Sequence, residues 1–395
     1  MVRRKPPADP SFNQPKGDGL VTGQDARIAI TGADGFLGWH VRCSMKIAGD
    51  PEPRQAVEAD FRSVEALHQA IGSVDAVLHL AGMNRGSEEE VFETNLRLAD
   101  TLTAALDRAG PAPTILFANS THSFNDSAFG RSKREASARL SRWAAARGSR
   151  YVDVILPHLF GEGGRPFYNS GFATFCHQLA TGGEPQIHQD GQVELFHAQR
   201  AALAFQGLLA DGGASGTVRL EGAPMRVSEA LERLRAIHAT YQGGIIPPLA
   251  DPLALEFFNT YRSYLYPAQV PIPLLLRTDP RGSLFEAVKT QHGGQAFLST
   301  THPGITRGRH FHRHKVERFL VISGQAEIRI RRLFDGKVLV FPVSGEAPCF
   351  IDIPTLHTHE ITNVGSRDLL TLFWSHEIFD PSNPDTYSEP VILES

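Results

Sequence analysis

Residues 27–38 of the chain are RIAITGADGFLG. The β-branched run at the start of this stretch predicts a buried strand, and the residues from Phe36 to about Met45 have the pattern of a helix. A glycine-rich turn between a strand and a helix lets the backbone approach a pyrophosphate closely, and the first turn of the helix offers unpaired N–H groups and the positive end of its dipole. The stretch therefore predicts a dinucleotide site at the following residues: Gly32, Gly35, Phe36, Leu37 and Gly38.

The alternation of strand and helix continues beyond this turn. Further buried strands are predicted at 74–80, 114–118 and 151–156, and helices at 63–71, 88–108 and 132–147. This order predicts a doubly wound parallel sheet of the Rossmann type, with helices on both faces. The backbone of Leu80, Ala81 and Gly82, at the end of one strand, is expected to pass near the cofactor. The sequence from 157 to 242 is less regular, apart from a helix predicted near 228–241.

The periodicity changes to two beyond Leu274. Short runs such as 318–322 and 325–331 are separated by Gly, Pro, Asn and Asp. Many short strands at close spacing are typical of a small antiparallel sandwich or barrel. The chain is therefore expected to have four parts, which are a disordered N-terminal extension (1–25), the Rossmann-type domain (26–245), a connecting segment (246–273) and a small all-β jelly-roll domain (274–395).

Composition and charge narrow the class of protein. The 395 residues suffice for two or three domains, and the net charge of −4 argues against nucleic-acid binding through a basic excess. Cys43, Cys176 and Cys349 lie far apart and form no disulfide framework or metal clip, which fits a reducing cytoplasm. The polar N-terminal stretch has no apolar core of a signal peptide, and no run approaches the roughly 18 apolar residues of a membrane span. A cytoplasmic protein without membrane insertion is expected.

A group of histidines marks the second half. His310 and His312 are separated by one residue, so on a strand both side chains point to the same face. Glu317 can enter the same site from the next strand, and the segment 354–363 (PTLHTHEITN) supplies further histidines. Imidazole and carboxylate together suit Zn, Fe, Mn, Ni or Cu. The pattern predicts a site for one divalent metal ion.

These two segments resemble the double motif of the cupin superfamily. The first half of that motif, G-x5-H-x-H-x4-E-x6-G, matches from Gly304 to Gly324. The second half, P-x-G-x2-H-x3-N, matches from Pro354 to Asn363, except that Leu356 replaces glycine. The resemblance implies a cupin domain, with zinc as the expected metal and the following ligands: His310, His312, Glu317 and His359.

The N-terminal half resembles the extended short-chain dehydrogenase/reductase family. The shared features are the glycine turn, Asn95, the pair Ser120-Thr121, and Lys133. In that family a tyrosine four residues before the lysine protonates a carbonyl that receives hydride from the nicotinamide, while the lysine binds the nicotinamide ribose and lowers the tyrosine pKa. The resemblance implies catalytic roles for Ser120, Thr121 and Lys133, cofactor binding by Lys133, and contact of Asp60 with the adenine. Whether the cofactor is NADH or NADPH stays open.

One residue departs from this pattern. Phe129 stands at the tyrosine position and has no ionisable group. Loss of a general acid usually lowers the rate by about 10²–10⁴, so the usual reductase mechanism lacks its proton donor here. His122 and Asp126 lie in the adjoining loop, and either is a candidate substitute.

The pairing of a short-chain-reductase module with a cupin resembles the CapF-type enzymes of bacterial capsule and O-antigen synthesis. Supporting segments include LPHLFG at 156–161, DPRGS at 279–283 and NPDT at 383–386. In such enzymes the cupin epimerises C3 of a UDP-4-keto-6-deoxy-N-acetylhexosamine, and the reductase domain reduces C4 with NADPH. The resemblance implies a UDP-linked keto-sugar substrate and a homodimer.

This chemistry needs further residues around each site. A C4 ketone acidifies the C3 proton, so the cupin needs a base and a group that stabilises the enediolate. Lys289, Arg307 and a histidine such as His357 are candidates, and the sequence does not choose among them. In the reductase domain, Arg165 with Asn169 is predicted to bind the diphosphate of the substrate.

Three interpretations remain open. The chain is an epimerase and reductase with an unusual proton donor, an epimerase whose Rossmann-type domain binds nucleotide without reducing, or a non-catalytic sugar-nucleotide sensor or scaffold. Phe129 favours the second over the first, whereas Lys133, the glycine turn and the metal set count against the third.

Overall fold

A computed structural model describes residues 26–393 of the chain. The extension predicted at 1–25 lies outside the described residues. The described chain has two halves, of which the first is a parallel sheet flanked by helices and the second is formed from antiparallel strands. This architecture confirms the predicted fold class, a Rossmann-type doubly wound sheet followed by a small β domain.

The first half alternates strands and helices along the chain. Its strands are β1 (Ile28–Thr31), β2 (Arg54–Ala56), β3 (Ala76–His79), β4 (Thr114–Ser120), β5 (Tyr151–Leu156), β6 (His158–Phe160), β7 (Gln192–His197), β8 (Gly216–Arg219) and β9 (Ala223–Arg226). Its helices are α1 (Phe36–Ala48), α2 (Val64–Ile71), α3 (Glu88–Leu106), α4 (Ala128–Ala146), α5 (Gly171–Ala180), α6 (Ala198–Asp211) and α7 (Val227–Gln242). Short 3-10 turns lie at Glu58–Arg62 and Thr121–Phe124. Within residues 26–393, no helix combines the length and the apolar character needed to cross a membrane.

The main sheet is parallel throughout, in the order β2-β1-β3-β4-β5-β8. Its central strands β1 and β3 are buried along their whole length, because helices cover both faces of the sheet. The chain passes from β1 to β2 on one side and then to β3 on the other, so the strand order reverses between β1 and β3. At such a switch point the carboxyl ends of the strands leave a crevice in which ligands bind.

The segment 157–242 is more regular than the sequence predicts. It contains α5 and α6, and strands β6, β7 and β9 form a separate mixed sheet. The prediction is wrong here for a physical reason. Most residues of α5 are buried or half-buried, so its sequence lacks a polar face, and α6 follows β7 without an intervening turn.

The rest of the described chain contains one helix and many short strands. The helix is α8 (Pro252–Ser263), and the strands are β10 (Ile245–Ile246), β11 (Ile272–Pro273), β12 (Arg277–Asp279), β13 (Gly282–Leu284), β14 (Lys289–Thr290), β15 (Gln295–Thr301), β16 (Thr306–Phe311), β17 (Glu317–Ser323), β18 (Gln325–Arg332), β19 (Val338–Ser344), β20 (Cys349–Ile353), β21 (His357–Asn363), β22 (Leu369–Ser375) and β23 (Tyr387–Ser388). One antiparallel sheet has the order β11-β20-β17-β22-β15 and the other β19-β18-β21-β16-β23. Their apolar side chains form a common core that includes Phe319, Ile328 and Phe373.

The two halves pack directly against each other. Trp39, on α1, donates its indole N–H to the carbonyl oxygen of Leu333 at 3.2 Å, and the guanidinium of Arg332 lies 3.8 Å from the centroid of its ring. Leu333 and Leu356 from the β domain enter the same buried apolar cluster as Trp39. The first helix after the glycine turn is therefore also a contact surface for the β domain.

A buried carboxylate crosses this boundary. Glu162, shortly after β6, accepts hydrogen bonds from Oγ1 of Thr355 at 2.8 Å and from Nε2 of Gln199 at 3.3 Å, and its Oε2 lies 3.3 Å from Nε2 of His197. Burial alone raises the pKa of a carboxyl group, but the neighbouring His197 and His40 hold the pKa of Glu162 well below its usual range. The negative charge is therefore retained inside the interface.

Leu356 has a backbone conformation that favours glycine. Its φ is 59°, and its side chain is fully buried in the cluster with Trp39. Its N–H donates to the carbonyl oxygen of His312 at 2.8 Å, and its carbonyl oxygen accepts the N–H of Leu333 at 3.1 Å. Leu356 thus adopts a left-handed backbone at the position where the resembled motif has glycine, at a cost of about 1–2 kcal/mol, while its side chain fills the space between the halves.

We predict that Leu356→Gly destabilises the protein less than Leu356→Ala. Both variants lose the buried side chain, which costs about 2–5 kcal/mol. Only glycine relieves the left-handed backbone, so we expect the two variants to differ by about 1 kcal/mol. Urea unfolding followed by tryptophan fluorescence measures both midpoints, because Trp39 lies in the same cluster.

The matched control is Leu140, which is fully buried inside α4. There the helical backbone makes glycine worse than alanine by about 1 kcal/mol. The same order of alanine and glycine at both positions would contradict the prediction.

Candidate functional site

The glycine turn lies at the crevice between β1 and β3. Gly32 has a φ of +72°, and a side chain there would place its Cβ 2.9 Å from the backbone of Ala81. A Cβ on Gly38 would collide with the carbonyl oxygen of Gly32. Phe36 and Leu37 form the first turn of α1, whose N–H groups have no partner within the helix. The backbone therefore leaves room for an anionic group at the N-terminus of α1.

Lys133 reaches the same crevice from α4. Its Nζ donates to the carbonyl oxygen of Ala118 near the end of β4, at 2.8 Å, and burial lowers the pKa of Lys133 to about 8. A Cβ on Gly82 would lie 3.2 Å from that Nζ and 3.3 Å from Oδ1 of Asn95. Asn95 also accepts the N–H of Met83 at 2.8 Å, which fixes the loop after β3. The structure thus brings the predicted lysine and the end of β3 together.

The ends of β2 and β3 flank the glycine turn. Leu80 donates its N–H to the carbonyl oxygen of Thr31, the last residue of β1, at 3.2 Å. Asp60 accepts a backbone N–H at 2.8 Å and caps the 3-10 turn that follows β2. Glu58, exposed at the start of that turn, was not identified from the sequence. It follows Gly38 by about 20 residues, the spacing at which an acidic residue contacts the ribose of a bound dinucleotide.

Phe129 lies in the first turn of α4. This helix begins at Ala128, four residues before the predicted start, because Oγ of Ser127 accepts the N–H of Gly130 at 3.0 Å and caps it. The centroid of the Phe129 ring is 5.9 Å from Nζ of Lys133. The aromatic ring therefore stands beside the lysine, without a hydroxyl group.

Ser120 ends β4, and Thr121 begins the 3-10 turn that follows it. Oγ of Ser120 accepts the N–H of His122 at 3.2 Å, and this bond caps the 3-10 turn. Thr121 is half-buried next to it. The three predicted reductase residues Ser120, Thr121 and Lys133 thus come from adjoining elements, β4, the 3-10 turn and α4.

The predicted diphosphate residues lie in an exposed loop after β6. The guanidinium of Arg165 is 4.9 Å from the centroid of the Tyr168 ring, and Asn169 is exposed at the next position. Arg85, from the loop after β3, lies 5.7 Å from the same ring and donates to the carbonyl oxygens of Phe167 and Tyr168. Sequence reasoning missed Arg85, because its contacts link segments about 80 residues apart. Two guanidinium groups beside one tyrosine suit an anionic ligand.

The four predicted metal ligands meet in the β domain. His310 lies in β16, His312 follows that strand, Glu317 begins β17 and His359 lies in β21. One ligand atom of each residue lies within 4.8 Å of the others. Oε2 of Glu317 is 2.9 Å from Nε2 of His312 and 3.3 Å from Nε2 of His359, and the rings of His310 and His359 are 4.6 Å apart. Imidazole and carboxylate groups that converge in this way are typical ligands of zinc and other transition metals.

A second hydrogen bond fixes the orientation of two rings. Nδ1 of His312 lies 2.6 Å from the carbonyl oxygen of Asp385, and Nδ1 of His359 lies 3.3 Å from a backbone carbonyl oxygen on its own strand. Nδ1 therefore carries the proton in both rings, and Nε2 is turned toward the shared carboxylate. Burial, with the neighbouring His359 and His312, lowers the pKa of His310 to about 3, so this ring is neutral at pH 7.

The cluster fits a bound metal ion. Nε2 of His359 is buried and, within the described part of the chain, has no hydrogen-bond partner of good geometry, although Oε2 of Glu317 is 3.3 Å away. A buried polar atom without a partner is costly unless a ligand completes it. A metal ion bound by the three imidazoles and the carboxylate would give this nitrogen a partner.

Asp385 supports the cluster from a distant part of the sequence. Its carboxylate accepts the N–H groups of Arg313, His314 and Lys315 at 2.9, 3.0 and 2.8 Å. These bonds order the turn between β16 and β17, which carries His312. A ligand atom of His314 also lies near Asp385 and Glu377. The Asp385 carboxylate already accepts three backbone N–H groups. We therefore assign the cluster of His314, Glu377 and Asp385 to the structure of the turn and not to a second metal site.

His357 does not join the cluster of four ligands, and Lys289 has a carboxylate partner of its own. Nζ of Lys289 lies 3.8 Å from the carboxylate of Glu286, and its strand β14 pairs with β10 of the connecting segment. His357 packs its ring against Tyr266 at 5.2 Å, and its Nδ1 lies 2.8 Å from the carbonyl oxygen of Thr355. Burial lowers the pKa of His357 to about 4. Catalytic roles for Lys289 and His357 stay predictions.

Two family models match the chain. Residues 28–211 match the NAD dependent epimerase/dehydratase family, and residues 277–387 match the polysaccharide biosynthesis C-terminal domain. The first match covers the parallel sheet up to α6, and the second covers most of the β domain.

Individual relatives extend over nearly the whole chain. The UDP-2-acetamido-2,6-beta-L-arabino-hexul-4-ose reductase of Pseudomonas aeruginosa is 32% identical over 367 residues, which are 92% of this chain and 98% of the relative. The capsular polysaccharide assembling protein CapF of Staphylococcus aureus has a crystal structure that matches with a TM-score of 0.58 and 31% identity, over 92% of this chain and 100% of that chain. The spore coat polysaccharide biosynthesis protein SpsL of Bacillus subtilis is 24% identical over 122 residues, which are 28% of this chain and 81% of the relative.

The fold and the two groups of residues define a class of two-domain protein. In this class a dinucleotide-type α/β domain with a glycine turn precedes a small β domain with a cluster of three histidines and a glutamate. Within it, the chain belongs to the CapF-type epimerase/reductase family, because relatives of that kind cover both domains in the same order.

We predict that the purified chain binds one divalent metal ion and that His359→Ala does not retain it. The Asp385→Asn variant keeps all four ligands but weakens the orientation of His312, so its affinity should fall by about 10–100-fold. Metal content after dialysis, measured by plasma mass spectrometry, checks both variants.

The matched control is His302→Ala, an exposed histidine of the same domain that pairs with Asp368 at 2.8 Å. We expect this variant to hold as much metal as the unaltered chain. Equal metal content in His359→Ala and His302→Ala would show that the cluster is not the binding site.

Proposed function

We propose that the chain is a nucleotide-sugar enzyme of bacterial surface polysaccharide synthesis that acts on a UDP-4-keto-6-deoxy-N-acetylhexosamine. The β domain epimerises C3, and the Rossmann-type domain reduces the C4 ketone with NAD(P)H. The observation that carries this proposal is the presence in one chain of the glycine turn with Lys133 and, separately, the cluster around Glu317. The relative from Pseudomonas aeruginosa is named as a reductase of a UDP-linked hexul-4-ose, which supports this substrate class.

The geometry of the cluster supports a metal-assisted reaction at C3. His310, His312, Glu317 and His359 would hold the metal, for which zinc stays our proposal. A divalent metal supplies Lewis acidity that polarises a ketone oxygen. Since the C4 ketone already acidifies the neighbouring C3 proton, the protein must add a base, and the positions of Lys289, Arg307 and His357 do not single one out.

The residues of the first half support binding of both a nicotinamide cofactor and a sugar nucleotide. The N-terminus of α1 would bind the pyrophosphate of the cofactor, which supplies the hydride when bound, and Lys133, whose Nζ lies near the end of β4, is proposed to bind the nicotinamide ribose. Arg165, Arg85 and Asn169 are proposed to bind the diphosphate of the UDP-sugar, because both guanidinium groups lie beside the ring of Tyr168 and Asn169 is the next residue in the chain. Fully charged arginines recognise phosphate oxygens well.

A second candidate function has one observation in its favour. Phe129 removes the hydroxyl group that donates the proton in related reductases, so the chain would be an epimerase whose first half binds the nucleotide without reducing it. The two candidates differ in a single product, the C4 alcohol. They agree on the exchange of the C3 proton.

A proton NMR time course in D2O tests the proposal. The full chain is given the UDP-4-keto-6-deoxy sugar with NADH or NADPH, and we expect loss of the C3 proton signal followed by a new signal from the C4 carbinol. Exchange at C3 alone would select the epimerase without reduction. Absence of both changes would overturn the proposal. In the control His359→Ala, exchange at C3 should be lost while cofactor binding is kept.

We predict that the cofactor is NADH rather than NADPH. The end of β2 lies next to the glycine turn, since the N–H of Gly32 donates to the carbonyl oxygen of Ala56 at 2.8 Å. Glu58 lies two residues after Ala56, and its exposed carboxylate should repel the 2′-phosphate of NADPH. We expect binding of NADPH to be weaker by roughly tenfold, which corresponds to about 1.4 kcal/mol. Titration of nicotinamide fluorescence with both cofactors measures this ratio.

The variant Glu58→Arg should reverse the preference. Its control is Glu93→Arg, which makes the same charge change at an exposed position of α3. A reversal produced by both variants would mean that net charge, and not Glu58, sets the preference.

A homodimer, implied by the family resemblance, stays a prediction. The hairpin of β12 and β13 is exposed along its whole length, and β15 is an edge strand on which Phe297 and Leu298 are 43% and 64% exposed. Exposed apolar edge strands tend to pair with another chain. This surface supports a contact between two copies of the β domain.

A further inference from the structure

We propose that His122 takes over from the missing tyrosine hydroxyl as the hydrogen-bond donor to the C4 oxygen of the substrate. The inference rests on the proposed reduction of a UDP-4-keto sugar. Phe129 cannot donate a hydrogen bond to the C4 oxygen, and the proposal gives this function to His122.

His122 lies beside Phe129, the residue at the tyrosine position. The imidazole lies in the 3-10 turn directly after β4, and its centroid is 5.8 Å from the centroid of the Phe129 ring, with the ring planes 64° apart. Phe129 in turn lies 5.9 Å from Nζ of Lys133. A polar ring thus borders the aromatic ring that occupies the tyrosine position, on the side of the sheet where β4 ends.

The loop that holds His122 is pressed against the start of α4. A Cβ on Gly130 would lie 2.6 Å from Oδ1 of Asn125 and would collide with the carbonyl oxygen of His122. Oγ of Ser120 also accepts the N–H of His122. The backbone of this residue is therefore fixed relative to both Phe129 and the end of β4.

Hydrogen bonds select one tautomer of the imidazole. Oδ1 of Asn125 accepts the backbone N–H of Ser127 at 3.1 Å and its hydroxyl group at 2.6 Å. The amide Nδ2 of Asn125 must then face His122, and it lies 3.3 Å from Nδ1 of that ring. Because the amide nitrogen of Asn125 can only donate, Nδ1 of His122 accepts this hydrogen bond, and the ring proton lies on Nε2. The atom that remains for a substrate is Nε2, which carries the proton and can donate.

The other candidates are engaged elsewhere. The carboxylate of Asp126 pairs with Arg134 at 2.9 Å and is 94% exposed. His158 also lies near this edge, but its Nε2 is 3.3 Å from Oγ of Ser170, which accepts the N–H of Ala173 and so turns its own proton toward His158. Of the two substitutes that the sequence suggests, His122 and Asp126, the structure favours His122.

The reaction balances with His122 as a hydrogen-bond donor that keeps its proton. C4 accepts the hydride with its electron pair from the reduced nicotinamide, and the π electrons of the C=O bond move to oxygen. The Nε2–H group of His122 stabilises this alkoxide by a hydrogen bond, as a neutral histidine does beside other reacting carbonyl groups. A water molecule then gives a proton to the oxygen and leaves as hydroxide. Since His122 is exposed, water has access to this point.

The test compares His122→Ala with His122→Gln on UDP-2-acetamido-2,6-beta-L-arabino-hexul-4-ose. Removal of one donor to an oxyanion costs about 10²-fold in kcat, so we expect that loss of C4 reduction in the alanine variant and partial recovery with glutamine, which keeps an N–H donor. Adding Phe129→Tyr to His122→Ala should restore reduction. Binding of the cofactor and proton exchange at C3 should be unchanged in every variant.

A matched control is His188→Ala, an exposed histidine of the same domain. Full reduction by His122→Ala, or a parallel loss of cofactor binding, would overturn the proposal. Reduction that appears only with Phe129→Tyr would also overturn it and would leave the epimerase function intact. Absence of both C3 exchange and reduction in the unaltered chain would instead contradict the proposed function itself.

Discussion

The carboxylate of Glu162 holds the two halves of the chain in one arrangement. A charged group inside a protein is tolerated only where its lone pairs are met by donors, and removing one partner of such a group is expensive. Here the donors come from both sides of the boundary, Gln199 from the first half and Thr355 from the β domain, with His197 beside them. Because Thr355 lies four residues before His359, the same contact that joins the domains also positions the strand that carries this predicted metal ligand.

The two candidate sites are built on different physical principles. The candidate site of the first half is formed by backbone geometry, in which glycine allows a close approach and a helix N-terminus offers N–H groups. The candidate site of the β domain is formed by side chains, since β16, the turn after it, β17 and β21 bring three imidazoles and one carboxylate together. In our proposal both act on one sugar, so the product of one site is the substrate of the other. The connection between the halves then matters for the order of the two steps as well as for stability.

Local patterns in the sequence predict much of this arrangement. The glycine turn, the four predicted ligands and most helices are visible because each is recognised from short local patterns, the ligands from two separate segments. The roles of Asp385 and Arg85 were not predicted, since Asp385 accepts from backbone N–H groups about 70 residues away and Arg85 donates to carbonyl oxygens about 80 residues away. The helices α5 and α6 were not predicted, because both are buried on several sides and so lack the polar face by which an amphipathic helix is recognised in a sequence. Phe129 is visible as a departure from the family pattern, but the bond from Asn125 that selects the tautomer of His122 is visible only in three dimensions.

The leucine at position 356 also limits how the chain can be recombined. Its side chain occupies a space bounded by Trp39 from the first domain, while its backbone keeps a shape suited to glycine. A β domain taken from a relative with glycine there would leave a hole beside Trp39. This β domain, attached to another partner, would expose a large apolar side chain on a strained turn. The two domains therefore fit each other at this contact. Replacing either domain alone would lower the stability of the chain, independently of any effect on catalysis.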